Sequence, residues 1–290
     1  MARLAIKNLS KSYKKQKVLD DISLTIDTPG IWALVGPNGV GKTTFLNVIT
    51  NILSANSGSV ELVGKPNKDF RVFKEVAYLQ DNSVLFEYLT GYDHLKYICD
   101  VNKISKTRIN EVVEYVGMTN YVNKVVGNYS LGMKQHLLLA MALVNKPKLL
   151  LLDEPLNGLD PTSAILMRKI LLELAENGTT IILSSHNLAE IDRVTKKILF
   201  LKDKKILQVN MAEHETITYY ITLSDSQKGK SCLSKNGFLV SEQHDKLKFE
   251  LKEQTLSTVI SVLQEHQIEI YDIEKEITGS EKLYEELFEL

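Results

Sequence analysis

At 290 residues the chain has room for one domain of about 200 residues and a smaller second one, on the usual scale of roughly 100–200 residues per domain. A hydrophobic content of 44% suits a globular core, and a net charge of −1 excludes the basic bias of a nucleic-acid glove or a polybasic membrane arm. The two cysteines, Cys99 and Cys232, lack metal-ligand spacing and fit a reducing compartment, and no apolar run approaches the roughly 20 residues that cross a bilayer.

Met1-Ala2-Arg3 leads straight into an alternating pattern without an apolar h-region, so no signal peptide is expected. Residues 2–9 and 18–27 alternate apolar and polar side chains and predict an antiparallel strand pair at a sheet edge. Its lysines, Lys7, Lys11, Lys14, Lys15 and Lys17, read as a solvated hairpin surface. Residues 31–35 form a buried strand ending at glycine, with Trp32 in its core. A helix begins at Lys42, with Phe45, Leu46, Val48 and Ile49 on its apolar face. Short strands are expected over 59–63 and 75–79, and a helical insert over about 85–143. Leu149–Leu152 is a four-leucine run closed by Asp153-Glu154-Pro155, as befits a parallel strand buried on both faces. A helix over 161–175, a strand over 180–183, a helix over 187–194 and a strand pair over 197–201 and 205–209 complete an α/β pattern. From residue 211 the pattern changes. Strands over 216–223, 238–242, 246–251 and 268–273, and a helix over 254–266, predict a small α+β domain of ferredoxin-like kind. Thr278 and Glu281 mark a capping box before a last helix over 281–290. The expected domains are therefore 1–210 and 211–290.

Gly36-Pro37-Asn38-Gly39-Val40-Gly41-Lys42-Thr43 matches G-x-x-x-x-G-K-S/T between a strand and a helix. Glycines there let backbone N–H groups turn inward around phosphate oxygens, and the helix N-terminus favours the anion. Asn38, Gly39, Gly41, Lys42, Thr43 and Thr44 are the expected phosphate contacts. Lys42 reaches the β- and γ-phosphates as a point charge, and the Thr43 hydroxyl is a ligand for Mg²⁺. Such a loop alone leaves kinase, GTPase, helicase and transporter motor open, although the N-K-x-D base reader of GTPases is missing. Asp153, at the end of the leucine strand, is the expected Mg²⁺ carboxylate. Glu154, pointing differently, is the expected general base that polarises the attacking water.

Further motifs narrow the choice. Tyr129-Ser130-Leu131-Gly132-Met133-Lys134-Gln135 resembles the L-S-G-G-Q signature of ABC ATPases and stands just before the leucine strand, as in that family. Leu156-Asn157-Gly158-Leu159-Asp160 resembles its D-loop, Tyr78-Leu79-Gln80 its Q-loop, and Ser184-Ser185-His186 the strand end that carries its switch histidine. The chain is thus identified as a member of the ABC family over roughly residues 3–210. The resemblance implies a P-loop NTPase cassette with a RecA-like core, an antiparallel β subdomain and a helical insert. It also implies that Tyr13 stacks on adenine with Val18 nearby, and that Gln80 touches Mg²⁺ and water. Ser130 and Gly132 grip the γ-phosphate of an ATP held by an opposing protomer, Asp160 contacts that protomer, and His186 hydrogen-bonds the γ-phosphate.

Leu131 replaces the first signature glycine, Met133 the glutamine, and His136 the arginine usual in the family. Leu156 stands where the D-loop usually begins with threonine or serine. The variant resembles ATPases of bacitracin and lantibiotic exporters, and the low-arginine sequence is also similar to ATPases that export phenol-soluble modulins. ATP is the implied cofactor, with Mg²⁺. The implied partners are an integral membrane permease and a second cassette, identical or different, with no nucleic acid. The implied place is the cytoplasmic face of the membrane. A soluble ABC ATPase working on ribosomes or nucleic acid is the alternative. It usually carries two cassettes, long coiled coils or zinc modules, and this chain has none of them in its sequence.

Overall fold

The structure is a computed structural model that describes residues 2–213, 217–243, 245–251, 255–277 and 279–288. It divides into two compact units, 1–210 and 211–290. In the first, β1 (Leu4–Tyr13) and β2 (Gln16–Ile26) form an antiparallel hairpin. β3 (Gly30–Val35) then runs into loop 36–41 and α1 (Lys42–Ile49). β4 (Ser57–Leu62) and β5 (Lys65–Pro66) join the hairpin as a four-stranded sheet ordered β2-β1-β4-β5. β6 (Val76–Leu79) leads to an insert of α2 (Gly91–Asn102), α3 (Thr107–Tyr115) and α4 (Leu131–Leu143). The chain returns through β7 (Leu149–Leu152), α5 (Pro161–Glu176), β8 (Thr180–Ser185), α6 (Leu188–Asp192), β9 (Lys197–Lys202) and β10 (Lys205–Asn210). A six-stranded sheet results, ordered β10-β9-β3-β8-β7-β6, parallel except for the β9–β10 hairpin.

Burial explains the pattern. All four leucines of β7 are inaccessible to solvent, each contributing about 1.5–3 kcal/mol relative to an exposed side chain. They lie between β6 and β8, and only a strand covered on both faces tolerates such a run. The hairpin departs from the simple alternation expected of it. Leu4, Ile6 and Leu9 are all buried, which a regular strand cannot achieve because 6 and 9 have opposite parity. The register shifts between Ile6 and Leu9, and Asn8 takes φ 49°, so a bulge returns Leu9 to the core side. Gly58 of β4 lies directly against this bulge with φ +89°. A Cβ at Gly58 would fall 2.5 Å from the Asn8 carbonyl oxygen.

The second unit is β11 (Ile217–Leu223), α7 (Ser226–Lys235), β12 (Val240–Gln243), β13 (Lys246–Glu250), α8 (Leu256–Glu265) and β14 (Ile270–Ile277), followed by α9 (Ser280–Phe288). Its antiparallel sheet is ordered β12-β13-β11-β14, the βαββαβ topology of ferredoxin-like folds. Ile221, Leu223, Leu247 and Phe249 form one sheet face under Leu233, Val259 and Leu263 of the helices. Thr216, residue 254, Thr278 of the expected capping box and Leu290 lie outside the described residues.

Gly58→Ala should cost at least about 2 kcal/mol, because it combines a left-handed φ with a backbone clash. Thermal unfolding should show a lowered midpoint, and an unchanged one would mean that the bulge yields freely.

Candidate functional site

The parallel register brings four strand ends to one level. Val35 pairs with Ser185, Leu152 with Leu183, and Leu79 with Leu152. The loops that follow these strands start with Gly36, His186, Asp153 and Gln80, so the expected phosphate loop, switch histidine, carboxylates and Q-loop glutamine share one edge of the sheet.

The phosphate loop fits an anion. The first turn of α1 holds no acidic residue and no side-chain cap, so its N–H groups face outward unpaired by side chains. Gly39 takes φ +79°, and a Cβ there would meet nothing within 4 Å. Gly41 takes φ +117°, and a Cβ there would strike Val18 Cγ1 at 2.7 Å, so both space and backbone conformation demand glycine. Val18 is thereby placed on the loop. Asn38, Gly39 and Thr43 are exposed, Gly41 and Thr44 are half-buried, and Lys42 is buried. Lys42 Nζ donates to the Gly36 carbonyl at 2.8 Å and lies 3.7 Å from Glu154 Oε1. Tyr13 is 45% exposed on the hairpin, and Lys11 Nζ stands 5.3 Å from its ring centroid.

Asp153 and Glu154 diverge as expected of adjacent residues at a strand end. Asp153 N donates to the Leu79 carbonyl, continuing the β6–β7 ladder by one residue. Glu154 then turns to φ 50°, a left-handed conformation costing a non-glycine residue about 1–2 kcal/mol. Its carboxylate faces both Lys42 and His186, whose Nδ1 lies 3.0 Å from Glu154 Oε2. Three hydrogen bonds have no counterpart in any sequence spacing. The Ser184 hydroxyl donates to Asp153 Oδ1 at 2.5 Å and accepts from the Glu154 amide at 2.9 Å. Gln80 Nε2 donates to Asn47 Oδ1 of α1 at 3.3 Å, which ties the Q-loop to the helix behind the phosphate loop.

The signature residues meet the D-loop of their own chain. Ser130 caps α4 by accepting from Met133 N, and Asp160 caps α5 by accepting from Thr162 N and Ser163 N. The Ser163 hydroxyl also donates to Asp160, and these bonds hold its carboxyl below the usual range. A Cβ on Gly132 would lie 2.6 Å from Ser163 Oγ, and one on Gly158 would lie 2.8 Å from Leu131 Cδ2. The two helix starts therefore abut closely. Among the described residues no hydrogen bond joins Ser130 or Gly132 to the phosphate loop. His136 is buried on α4 with Nδ1 3.0 Å from the Tyr121 hydroxyl, and burial lowers its pKa.

Comparisons with known proteins give the family. The ABC transporter family profile matches residues 19–157. An ABC transporter ATP-binding protein of Bacillus subtilis (strain 168), YhcH, itself uncharacterized, is 33% identical over 285 residues, covering 96% of this chain and 92% of that one. The lantibiotic transport ATP-binding protein SrtF of Streptococcus pyogenes is 36% identical over 204 residues, covering 70% of this chain and 89% of SrtF. The solved structure of an ATP-binding subunit of an ABC transporter superposes with a TM-score of 0.67 at 26% identity, covering 72% of this chain and 90% of that one. The chain belongs to the ABC transporter family, as one of its ATP-binding, ATP-hydrolysing subunits.

Proposed function

We propose that residues 1–210 bind and hydrolyse ATP to drive the export of peptide or antimicrobial-type compounds through a separate membrane permease, with 211–290 as an accessory domain. The observation that carries the catalytic part is the meeting of Lys42, Glu154 and His186 at one edge of the parallel sheet. The export part rests on the signature variant and on the likeness to a lantibiotic transport ATPase. No helix among the described residues is long and apolar enough to cross a membrane, so the permeation path is assigned to another chain at whose cytoplasmic face this one works.

Each residue has a physical task. Tyr13 offers a ring face to adenine beside Val18. The N–H groups of Asn38, Gly39, Gly41, Lys42, Thr43 and Thr44 cradle the phosphates at the start of α1. The Thr43 hydroxyl, the Asp153 carboxylate and the Gln80 side-chain amide are hard oxygen donors, the type that Mg²⁺ takes, and the ion supplies positive charge against the phosphate oxygens. Lys42 faces Glu154 at 3.7 Å, an attraction of about 4 kcal/mol at an effective dielectric of 20. A polyanionic nucleotide competes for that lysine, freeing the Glu154 carboxylate to accept a proton from water. The water oxygen bonds to the γ-phosphorus as the bond to the ADP oxygen breaks, and His186 steadies the phosphoryl group from the neighbouring strand.

Among the described residues Ser130 and Gly132 make no hydrogen bond to the phosphate loop of their own chain, and we assign them to a nucleotide held by a second cassette. Head-to-tail pairing gives such an arrangement two-fold symmetry or, with a different cassette, pseudo-symmetry. ATP then joins the protomers, and loss of the γ-phosphate loosens them.

Glu154→Gln should bind ATP normally and lower kcat by about 10²–10⁴-fold, measured by phosphate release alongside nucleotide binding. Unchanged turnover would remove Glu154 from the role of base. Lys42→Ala should weaken nucleotide affinity about 10–100-fold, the value of one or two charged hydrogen bonds, in a fluorescence titration. Affinity purification of the full chain from gently solubilised membranes should recover a multi-span membrane protein. Recovery of ribosomes or nucleic acid in its place would favour the soluble alternative.

A further inference from the structure

Ser184 is the penultimate residue of β8 and is fully buried. It follows Ile181, Ile182 and Leu183, all with no solvent exposure, and stands beside the end of the leucine strand. A hydroxyl in such surroundings costs stability unless it is hydrogen-bonded. This one is used twice, as donor to Asp153 Oδ1 and as acceptor from the Glu154 N–H.

The two bonds restrain different degrees of freedom. The first takes one carboxylate oxygen, Oδ1, and so fixes the rotation of the Asp153 side chain. The second anchors the peptide at which the chain turns into the left-handed conformation of Glu154. Two residues further along, His186 Nδ1 lies 3.0 Å from the Glu154 carboxylate. Residue 154 is thus held by its amide from Ser184 and by its carboxylate from His186, both projecting from the end of one strand. Register supplies the cause: Leu183 pairs with Leu152, so the next residue on β8 falls beside Asp153.

We propose that Ser184 is a positioning residue for ATP hydrolysis, fixing the metal-site carboxylate and the general base in one mutual geometry through a single hydroxyl. This rests on the assignment of Asp153 and Glu154 made above. The nucleotide is gripped by the phosphate loop, to which Ser184 makes no hydrogen bond among the described residues, so loss of the hydroxyl acts on turnover and metal use and leaves metal-free nucleotide affinity alone. Supporting residues that orient a metal ligand typically carry 10–100-fold in affinity or activity.

The test uses the full-length chain with Ser184→Ala, Ser184→Thr and Glu154→Gln. Three quantities are read: kcat and KM for ATP, the Mg²⁺ concentration giving half-maximal rate, and equilibrium binding of a fluorescent ATP analogue in Mg²⁺ and in EDTA. Ser184→Ala should lower kcat about 10–100-fold with KM within about threefold, and raise the Mg²⁺ requirement. It should leave binding in EDTA unchanged and shrink the gain in affinity that Mg²⁺ confers. Ser184→Thr, which keeps the hydroxyl on a β-branched side chain suited to a strand, should restore most of kcat. Wild-type kcat and Mg²⁺ requirement in Ser184→Ala, with Glu154→Gln inactive, would overturn this inference alone. A Ser184→Thr kcat as low as that of Ser184→Ala would also overturn it. Full turnover in Glu154→Gln would instead overturn the underlying assignment.

Discussion

Parallel pairing of β3, β8, β7 and β6 sets Val35 opposite Ser185, Leu183 opposite Leu152 and Leu152 opposite Leu79, and the groups that follow these strand ends, from Gly36 to Gln80, Asp153, Glu154 and His186, take their positions from that register. A slip of one residue would turn each side chain to the other face of the sheet. It would send Asp153 away from Ser184 and Glu154 away from His186. The slip is costly because β7 and β8 are buried on both faces, and a shift would bring Lys148 or Asp153 into the buried ladder. The large buried investment in Leu149–Leu152 and residues 181–183 therefore fixes the relative placement of a few polar atoms just beyond the strand ends.

Much of this was legible in residue order because the chemistry is local. The phosphate loop needs glycines at fixed steps between a strand and a helix, and φ +117° at Gly41 together with the close approach of Val18 shows why the position is restrictive. Four successive leucines closed by Asp-Glu-Pro suit a doubly covered strand, and the acids that follow fall at its end. Less legible were features that depend on a second segment. The bulge at Asn8 breaks the alternation, and only the approach of β4, with Gly58 against the Asn8 carbonyl, reveals it. Ser184 reads as one more small residue before a histidine, since its partners lie 31 and 30 positions away. The capping box of Thr90 and Asp93 at the start of α2 passed unread for another reason: a Thr-x-x-Asp pattern is common, and only a helix beginning there gives it meaning.

Two of the departures from the family pattern, Leu131 and His136, have physical accounts in the packing. Leu131 lies against Gly158 of the D-loop, and φ +68° already requires glycine there, so the larger side chain fits over a position that has no Cβ. His136, where the family usually has arginine, is only 8% exposed beside the Tyr121 hydroxyl. An arginine in that pocket would stay charged and would need a buried partner. An imidazole can shed its proton, and burial favours the neutral form. The site thus keeps a polar contact without confining a charge.

These contacts bear on how one cassette senses another. Glu154, on the chain's own hydrolytic edge, and Asp160, the cap of α5, are separated by six residues, a span of at most about 20 Å when extended. Asp160 and Ser163 abut Gly132, while Leu131 covers Gly158, so the start of α4 and the D-loop form one packed body. In the head-to-tail pair proposed above, the start of α4 would face the nucleotide of the second cassette. A displacement there is transmitted to the D-loop by steric contact, because close-packed atoms have no room to absorb it. The D-loop in turn begins two residues after Glu154, whose amide is tied to Ser184. The proposed base Glu154 and the start of α4 are thus joined by a short covalent segment, held by Ser184 near one end and packed against Leu131 and Gly132 at the other.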